Sequence, residues 1–202
     1  MMQDINILQQ EAIALLQQLI ATPSFSKEED KTADIIFNYL QQKGIAAQRI
    51  NNNVFAVNQY FDAAKPVVLL NSHHDTVKPN PQYTKDPFTP VVEDGKLYGL
   101  GSNDAGGCVV SLTAAFCFFY EQQNLAYNIV LAATAEEEIS GTGGVELLLQ
   151  HPDFLSATGQ AAENAYHNWT AIGGEPTLLQ MAVEKRGLMV LDCISHGKAG
   201  HA

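Results

Sequence analysis

Imidazole and carboxylate side chains follow four apolar stretches of the sequence, each at the point where the stretch ends. The stretches are PVVLL (66–70), GKLYGLGSN (95–103), NIVLAATA (128–135) and TAIGG (170–174), and the residues that follow them are His73, His74, Asp75, Asp104, Glu136, Glu137, Glu138 and Glu175. Such apolar runs are typical of strands buried in a parallel sheet, and open α/β sheets bind ligands at the carboxyl ends of their strands. We therefore expect these side chains to converge at one edge of a sheet.

A cluster of this composition favours a bound cation. Carboxylates that converge repel one another unless a positive charge neutralises them, and histidine nitrogen with carboxylate oxygen is a ligand set for Zn²⁺ or another divalent ion. Each signal alone also has a structural explanation. The acidic triplet at 136–138 could begin a solvated helix, Asp104 could cap a helix, and Glu175 could belong to a turn. Because all four signals occupy the same place relative to a strand, we favour a metal site.

The overall composition limits the possible partners. The chain has 22 acidic against 11 basic residues, a formal net charge of −11, which disfavours nucleic acids and anionic membranes as partners. The three cysteines (Cys108, Cys117 and Cys193) form no CxxC pair, and we interpret them as small buried thiols. The first 20 residues lack a basic segment and mix polar with apolar residues. We therefore expect neither a signal peptide nor a membrane span, and a cytoplasmic protein.

The elements that must position the polar residues alternate between helix and strand. Apolar spacing predicts a helix over residues 4–20, and Ser26 with Glu29 three residues later predicts a capping box before a second helix that ends at Gly44. Strands are expected at 45–50, 54–61 and in the four apolar stretches, a largely apolar helix at 105–124, and one or two strands at 181–197. This alternation predicts an α/β fold, with a mostly parallel twisted sheet between helices.

The motifs taken in order resemble a known family. They are SHHDTVKP (72–79), YGLGSNDAGG (98–107), TAEEEISGTGG (134–144), GGEPT (173–177), KRG (185–187) and SHGKAGHA (195–202). Together they resemble the co-catalytic zinc metallopeptidases that include acetylornithine deacetylase, succinyl-diaminopimelate desuccinylase, aminoacylase and carboxypeptidase G. The similarity extends from about residue 65 to the last residue, and it is closest to acetylornithine deacetylase.

The resemblance implies a role for each residue of the first metal site. His73 corresponds to the ligand of an H-x-D motif, His74 to its variable middle residue, and Asp75 to the carboxylate that orients the His73 ring. Asp104 corresponds to the carboxylate that bridges two metal ions, and the peptide bond after it is expected to be cis. Glu175 corresponds to a further ligand of the first ion.

The resemblance also implies the residues of the chemical step. Glu137 corresponds to the general base, which must stay off the metal ions so that it can accept a proton, and Glu138 corresponds to a ligand of the second ion. His201 corresponds to a histidine that reaches a partner subunit's active site and stabilises the oxyanion. Arg186 is a candidate contact for the substrate carboxylate.

The domain organisation is implied in the same way. Residues 1–185 correspond to the N-terminal part of a zinc-exopeptidase-like catalytic domain, and 186–202 to the start of an inserted α+β lid and dimerisation domain. Family members are usually longer, and their last histidine ligand comes from a later segment. We therefore expect a truncated chain that is poorly active alone, and a homodimer for the full-length protein.

The implied reaction is hydrolysis of the amide bond of an N-acyl amino acid. The expected cofactor is Zn²⁺, two ions per complete site, with Co²⁺ or Mn²⁺ as substitutes. The segments GKAGH and GEPTLL favour N-acetylornithine, a substrate of arginine biosynthesis. The alternatives are a dipeptidase or aminoacylase, a succinyl-diaminopimelate desuccinylase, and an inactive metal-binding fragment.

Overall fold

The computed structural model describes residues 4–160 and 166–183, which form an α/β fold. The helices are α1 (Ile5–Ile20), α2 (Asp30–Gln42), α3 (Gly107–Phe119), α4 (Val145–Gln150) and α5 (Pro152–Ala157). The strands are β1 (Gln48–Ile50), β2 (Asn53–Val57), β3 (Val67–His73), β4 (Val91–Glu93), β5 (Lys96–Tyr98), β6 (Asn128–Thr134) and β7 (Trp169–Gly173). No helix in these ranges is long and apolar enough to cross a membrane.

A five-stranded sheet in the order β1-β2-β6-β3-β7 forms the centre of the fold. β3 lies between β6 and β7 and runs parallel to both, while β1 and β2 form an antiparallel edge next to β6. The α/β prediction is thus confirmed, with the parallel pairs at the centre. β4 and β5 form a separate hairpin. The prediction that Asp104 directly follows a strand of the same sheet is therefore wrong, because β5 ends at Tyr98 and a helical turn carries Asp104.

Two apolar cores cover the two faces of the sheet. Every residue of β6 is buried, and successive residues alternate between the cores: Leu131 packs with α1, α2 and α3, whereas Val130 packs with α4 and α5. The period of two follows from strand geometry, because neighbouring side chains point to opposite faces. Burial on both faces explains why this strand is a continuous apolar run in the sequence.

The register of the parallel strands brings the predicted residues to one edge. His73 pairs with Thr134 of β6, and Asn71 pairs with Gly173 of β7. The residues after His73, after Thr134 and after Gly173 therefore leave the sheet side by side. This register places His73, the acidic triplet and Glu175 together.

The predicted capping box is wrong. Helix α2 begins at Asp30 with Glu29 at the N-cap position, and the Ser26 hydroxyl donates instead to Oδ2 of Asp75, 2.7 Å away. In a capping box the hydroxyl oxygen would accept from a backbone amide of the first helical turn, whereas here the hydroxyl donates to a buried carboxylate, and charge-assisted hydrogen bonds are the stronger ones. The strands predicted at 181–197 lie mostly outside the described residues.

Candidate metal centre

Three side chains bring potential ligand atoms to a common point. Ligand atoms of His73, Asp104 and Glu175 all lie within 4.8 Å of one another. The Nε2 atom of His73 is 3.2 Å from Oδ1 of Asp104 and 4.0 Å from Oε2 of Glu175. The His73 side chain is 1% exposed, whereas those of Asp104 and Glu175 are 56% and 40% exposed. The imidazole therefore forms the floor of a site that opens to solvent between two carboxylates.

The local chain geometry places Asp104 beside the end of β3. Asp104 lies in a kinked π-helical turn, Ser102–Gly106, that leads into α3, and its peptide bond to Ala105 is cis, as the resemblance implied. The amide of Gly106 donates to the Gly101 carbonyl oxygen at 2.8 Å. A Cβ at Gly106 would lie 2.6 Å from that oxygen, so only glycine lets this turn close.

Asp75 lies beneath His73 and binds it from the side opposite the carboxylate pair. Nδ1 of His73 is 3.1 Å from the carbonyl oxygen and 3.3 Å from Oδ1 of Asp75. Both neighbours are acceptors, so Nδ1 carries the proton and Nε2 is the nitrogen that can bind a cation. Asp75 is itself fully buried.

The same carboxylate holds the turn after β6. Its Oδ1 accepts from the amide of Glu137 at 3.1 Å, and its Oδ2 accepts from the amide of Glu138 at 3.2 Å, in addition to the Ser26 hydroxyl. Although burial alone would raise the pKa of Asp75, its hydrogen bonds with His73, Ser26 and these two amides outweigh it and lower that pKa. Asp75 thus stays ionised and links the predicted ligand to the predicted general base.

The charges around the site favour a cation. Burial acts to lower the pKa of His73, but the hydrogen bond and charge of Asp75, with the charges of Glu137 and Glu175, outweigh it and raise that pKa to about 9. Burial, followed by the negative charge of Asp104, raises the pKa of Glu138. The raised pKa of His73 therefore reflects surplus negative charge, which also adds to the effect of burial on Glu138, and a divalent ion would neutralise that charge.

The structure brings Glu137 to the same point. Its Oε2 lies 3.8 Å from Nε2 of His73, and its side chain is 47% exposed. It is close enough to act on a molecule bound between Asp104 and Glu175, yet it does not belong to the cluster of three ligand atoms.

His74 points away from the site, as expected for the middle residue of the motif. Its ring is buried; Nδ1 lies 2.9 Å from the Thr32 hydroxyl, and Nε2 lies 2.9 Å from the Asn52 carbonyl oxygen. Burial lowers the pKa of His74, although the hydrogen bond to Asn52 acts in the opposite direction. His74 therefore joins β3 to α2 and to the turn before β2.

Two predicted site residues, Arg186 and His201, lie outside the described residues, as does the predicted boundary at 185/186. Conversely, our motif analysis gave no site role to Ser26, Glu29 or Asn52, which contact Asp75, Glu136 or His74. Their sequence signal is weak, because polar residues before a helix or in a turn are common. Only the tertiary register shows that they lie against the strand ends.

Sequence comparisons relate the chain to known hydrolases. The profile of peptidase family M20/M25/M40 matches residues 69–185, more than half of the chain. A succinyl-diaminopimelate desuccinylase of Delftia acidovorans is 29% identical over 199 residues, 93% of this chain and 47% of that protein. An acetylornithine deacetylase of Proteus mirabilis is 31% identical over 205 residues, 94% of this chain and 49% of that protein. The chain thus spans about half the length of these curated relatives.

Solved structures of other proteins share the fold of this chain. Human carnosine dipeptidase 1 superposes with a TM-score of 0.61 at 22% identity, over 76% of this chain and 38% of that one. A dinuclear metal-binding M20 peptidase of Bacillus subtilis superposes with a TM-score of 0.54 at 18% identity, over 73% and 40% of the two chains. The fold is therefore that of M20 peptidases, and the profile match over residues 69–185 shows that the chain belongs to peptidase family M20/M25/M40.

Proposed function

We propose that this chain carries the metal-binding and general-base residues of an amidohydrolase that removes the acyl group from an N-acyl amino acid. The observation that carries the proposal is the convergence of His73, Asp104 and Glu175, with Glu137 beside them, at the carboxyl edge of the sheet. Family membership supports a metal-dependent reaction on an amide bond.

The residues present fit a divalent ion. One imidazole nitrogen and two carboxylate oxygens, arranged around an opening to solvent, match the mixed ligand sets of catalytic zinc sites, which keep a position free for water or substrate. Co²⁺ and Mn²⁺ accept the same ligand types. In the proposal, His73, Asp104 and Glu175 hold a first ion, and Asp104 and Glu138 contribute to a second. Ions bound there would polarise the scissile carbonyl and lower the pKa of a water molecule.

The chain's own residues would then transfer the proton and orient the ligand and the base. Glu137 accepts the proton of the attacking water and delivers it to the leaving amine. Asp75 keeps Nδ1 of His73 protonated and fixes the plane of the ring. Through the amides of Glu137 and Glu138, the same carboxylate fixes the backbone that carries the base. The positions of ligand and base are thus coupled through a single buried carboxylate.

We propose N-acetylornithine as the substrate, as in the Proteus mirabilis relative, and homodimerisation for the whole protein. A cavity of about 320 Å³, lined by residues that include Tyr83, Tyr98 and Ser102, is of a size that suits a small molecule, and Ser102 lies in the same turn as Asp104. Arg186 is proposed to contact the substrate carboxylate and His201 to stabilise the oxyanion of a partner subunit. N-succinyl-diaminopimelate is the second candidate substrate, because several relatives at 28–29% identity are desuccinylases.

A substrate panel with Zn²⁺ tests the proposal. The purified protein is incubated with N-acetylornithine, N-succinyl-diaminopimelate and a dipeptide, and the release of free amine is followed for the wild type and Glu137→Gln. The proposal expects the fastest release from N-acetylornithine and its loss in the variant. Faster release from the succinylated substrate would favour the desuccinylase, and bound zinc without Glu137-dependent release would favour the inactive metal-binding fragment.

A further inference from the structure

A second buried carboxylate, besides Asp75, accepts a hydrogen bond from the turn after β6. Glu29 lies between α1 and α2 and is fully buried. Its Oε1 accepts from the Lys27 amide at 2.6 Å and from the Glu136 amide at 3.3 Å, and its Oε2 accepts from the Asn52 side-chain amide at 2.8 Å. These three donors are neutral. A buried carboxylate is costly even when it is hydrogen-bonded, so its position against the turn calls for an explanation.

The two carboxylates divide three consecutive backbone amides between them. Glu29 accepts from the amide of Glu136, and Asp75 accepts from the amides of Glu137 and Glu138. The backbone between β6 and these residues is therefore held by one acceptor that α2 positions and another that β3 positions. Two acceptors on different elements fix the direction of a peptide chain better than one acceptor does.

The turn needs such support because its first residue has an unfavourable backbone conformation. Glu136 has φ of +56°, a left-handed conformation that costs an L-residue roughly 1–2 kcal/mol. Hydrogen bonds from the Gly141 amide to the Glu136 carbonyl oxygen and from the Gly143 amide to its Oε2 complete the turn. If the Glu136 amide lost its acceptor, the strained residue could relax, and Glu137 would move with it.

We propose that Glu29 is a positioning residue for the general base: it sets the orientation of the backbone that carries Glu137 and Glu138. Its effect on catalysis rests on the function proposed above. Its effect on the turn does not, because these hydrogen bonds join groups of the protein alone. The Glu137 carboxylate lies 3.8 Å from His73 Nε2, so a small rotation of the Glu136 peptide would take it out of reach of the reacting atoms.

Amide hydrogen exchange of the metal-free chain tests the structural step. Glu29→Ala removes the acceptor, and Glu29→Gln keeps one oxygen that can face the Lys27 and Glu136 amides. Thr32→Val is the matched control: Thr32 is buried beside Glu29 and contacts the Glu29 carbonyl oxygen and His74, but no amide of 136–138. The amide of Leu131, in the middle of β6, reports global unfolding.

We expect Glu29→Ala to accelerate exchange at residues 136–138 by about tenfold or more relative to Leu131, Glu29→Gln by less, and Thr32→Val not at all. Equal acceleration at 136–138 and at Leu131 in the Glu29 variants, or the same local acceleration in Thr32→Val, would overturn the proposal. If Glu29→Ala does not fold, the comparison of Glu29→Gln with Thr32→Val decides.

Turnover measurements then separate this proposal from the function on which it rests. With an active wild type, Glu29→Ala should lower kcat for the N-acyl amino acid by about tenfold or more with KM changed by less than about threefold, and Glu29→Gln should recover part of the loss. A wild type that binds zinc but hydrolyses none of the panel favours the inactive metal-binding fragment over the proposed hydrolase, while the exchange data still decide on Glu29. An active wild type with unchanged kcat in both Glu29 variants contradicts the positioning role alone.

Discussion

Replacing Asp75 by Asn should weaken metal binding and loosen the turn that carries the general base at the same time. The carboxylate is fully buried and contacts four donors: Nδ1 of His73, the Ser26 hydroxyl, and the amides of Glu137 and Glu138. Asn has the same shape but offers one acceptor oxygen and one NH₂ group. The substitution therefore tests charge and acceptor capacity with little change in volume.

The expected magnitude follows from counting these contacts. The Asn oxygen can keep His73 and Glu137, because both face the Oδ1 position, and Ser26 can rotate to accept from the NH₂ group. The Glu138 amide then faces a donor, and an unsatisfied buried amide costs roughly 1–3 kcal/mol. Loss of the charge beside the imidazole removes the partner that orients the ligand, a change that typically lowers metal affinity by about 10–100-fold.

Zinc competition against a chromophoric chelator measures the first effect, and urea denaturation of the metal-free chain measures the second. Ser26→Ala is the matched control, since it removes one donor to Asp75 and leaves the charge and the other three contacts in place. Its zinc affinity should stay within about threefold of the wild type. If Asp75→Asn binds zinc as tightly as Ser26→Ala, Asp75 does not tune the ligand and the reasoning is refuted.

Three further substitutions test other parts of the account. Glu137→Gln should reduce amide hydrolysis by about 10²–10⁴-fold in a kinetic assay and leave zinc affinity nearly unchanged; full turnover would exclude Glu137 as the base. Because burial lowers the pKa of His74, its contribution to stability is complete above the unfolded pKa of about 6.5 and is lost as the pH falls through the folded value. In urea denaturation at pH 7.5 and 5.5, His74→Gln should therefore lose less stability on acidification than the wild type, and equal losses would contradict a neutral buried imidazole. Leu131→Ala should lower the free energy of unfolding by about 2–5 kcal/mol in the same assay, and a loss below about 1 kcal/mol would show that the two-core packing around β6 is wrong.

The parts of the fold that are predictable from the sequence are those that local patterns determine. The apolar run of β6 is buried on both faces, and α1 follows its apolar spacing. His73 and Glu175 could be grouped before the structure was known because each follows an apolar run. When the strands are parallel, residues that follow them lie at the same edge of the sheet, so this position is sufficient to predict that His73 and Glu175 lie close together.

The contacts that fix the site depend on tertiary register. Ser26 and Glu29 have the spacing of a capping box, yet their side chains contact Asp75 and the Glu136 amide, residues 49 and 107 positions away. The antiparallel pairing of β2 with β6 is another contact between segments distant in sequence, and it places the turn of Asn52 against His74. The motif spacing identifies which groups could do chemistry, whereas the groups that hold them come from segments distant in sequence.

The central claim is that His73 is a metal ligand and that its neighbour His74 is not. Zinc titration of the wild-type chain, His73→Ala and His74→Gln by calorimetry tests it directly, with circular dichroism to verify that each variant is folded. The account predicts that the His73 substitution weakens binding by at least about 100-fold, because it removes the buried nitrogen of the site, and that the His74 substitution changes it by less than about threefold. Equal losses in the two variants, or tight binding that survives the loss of His73, would contradict it.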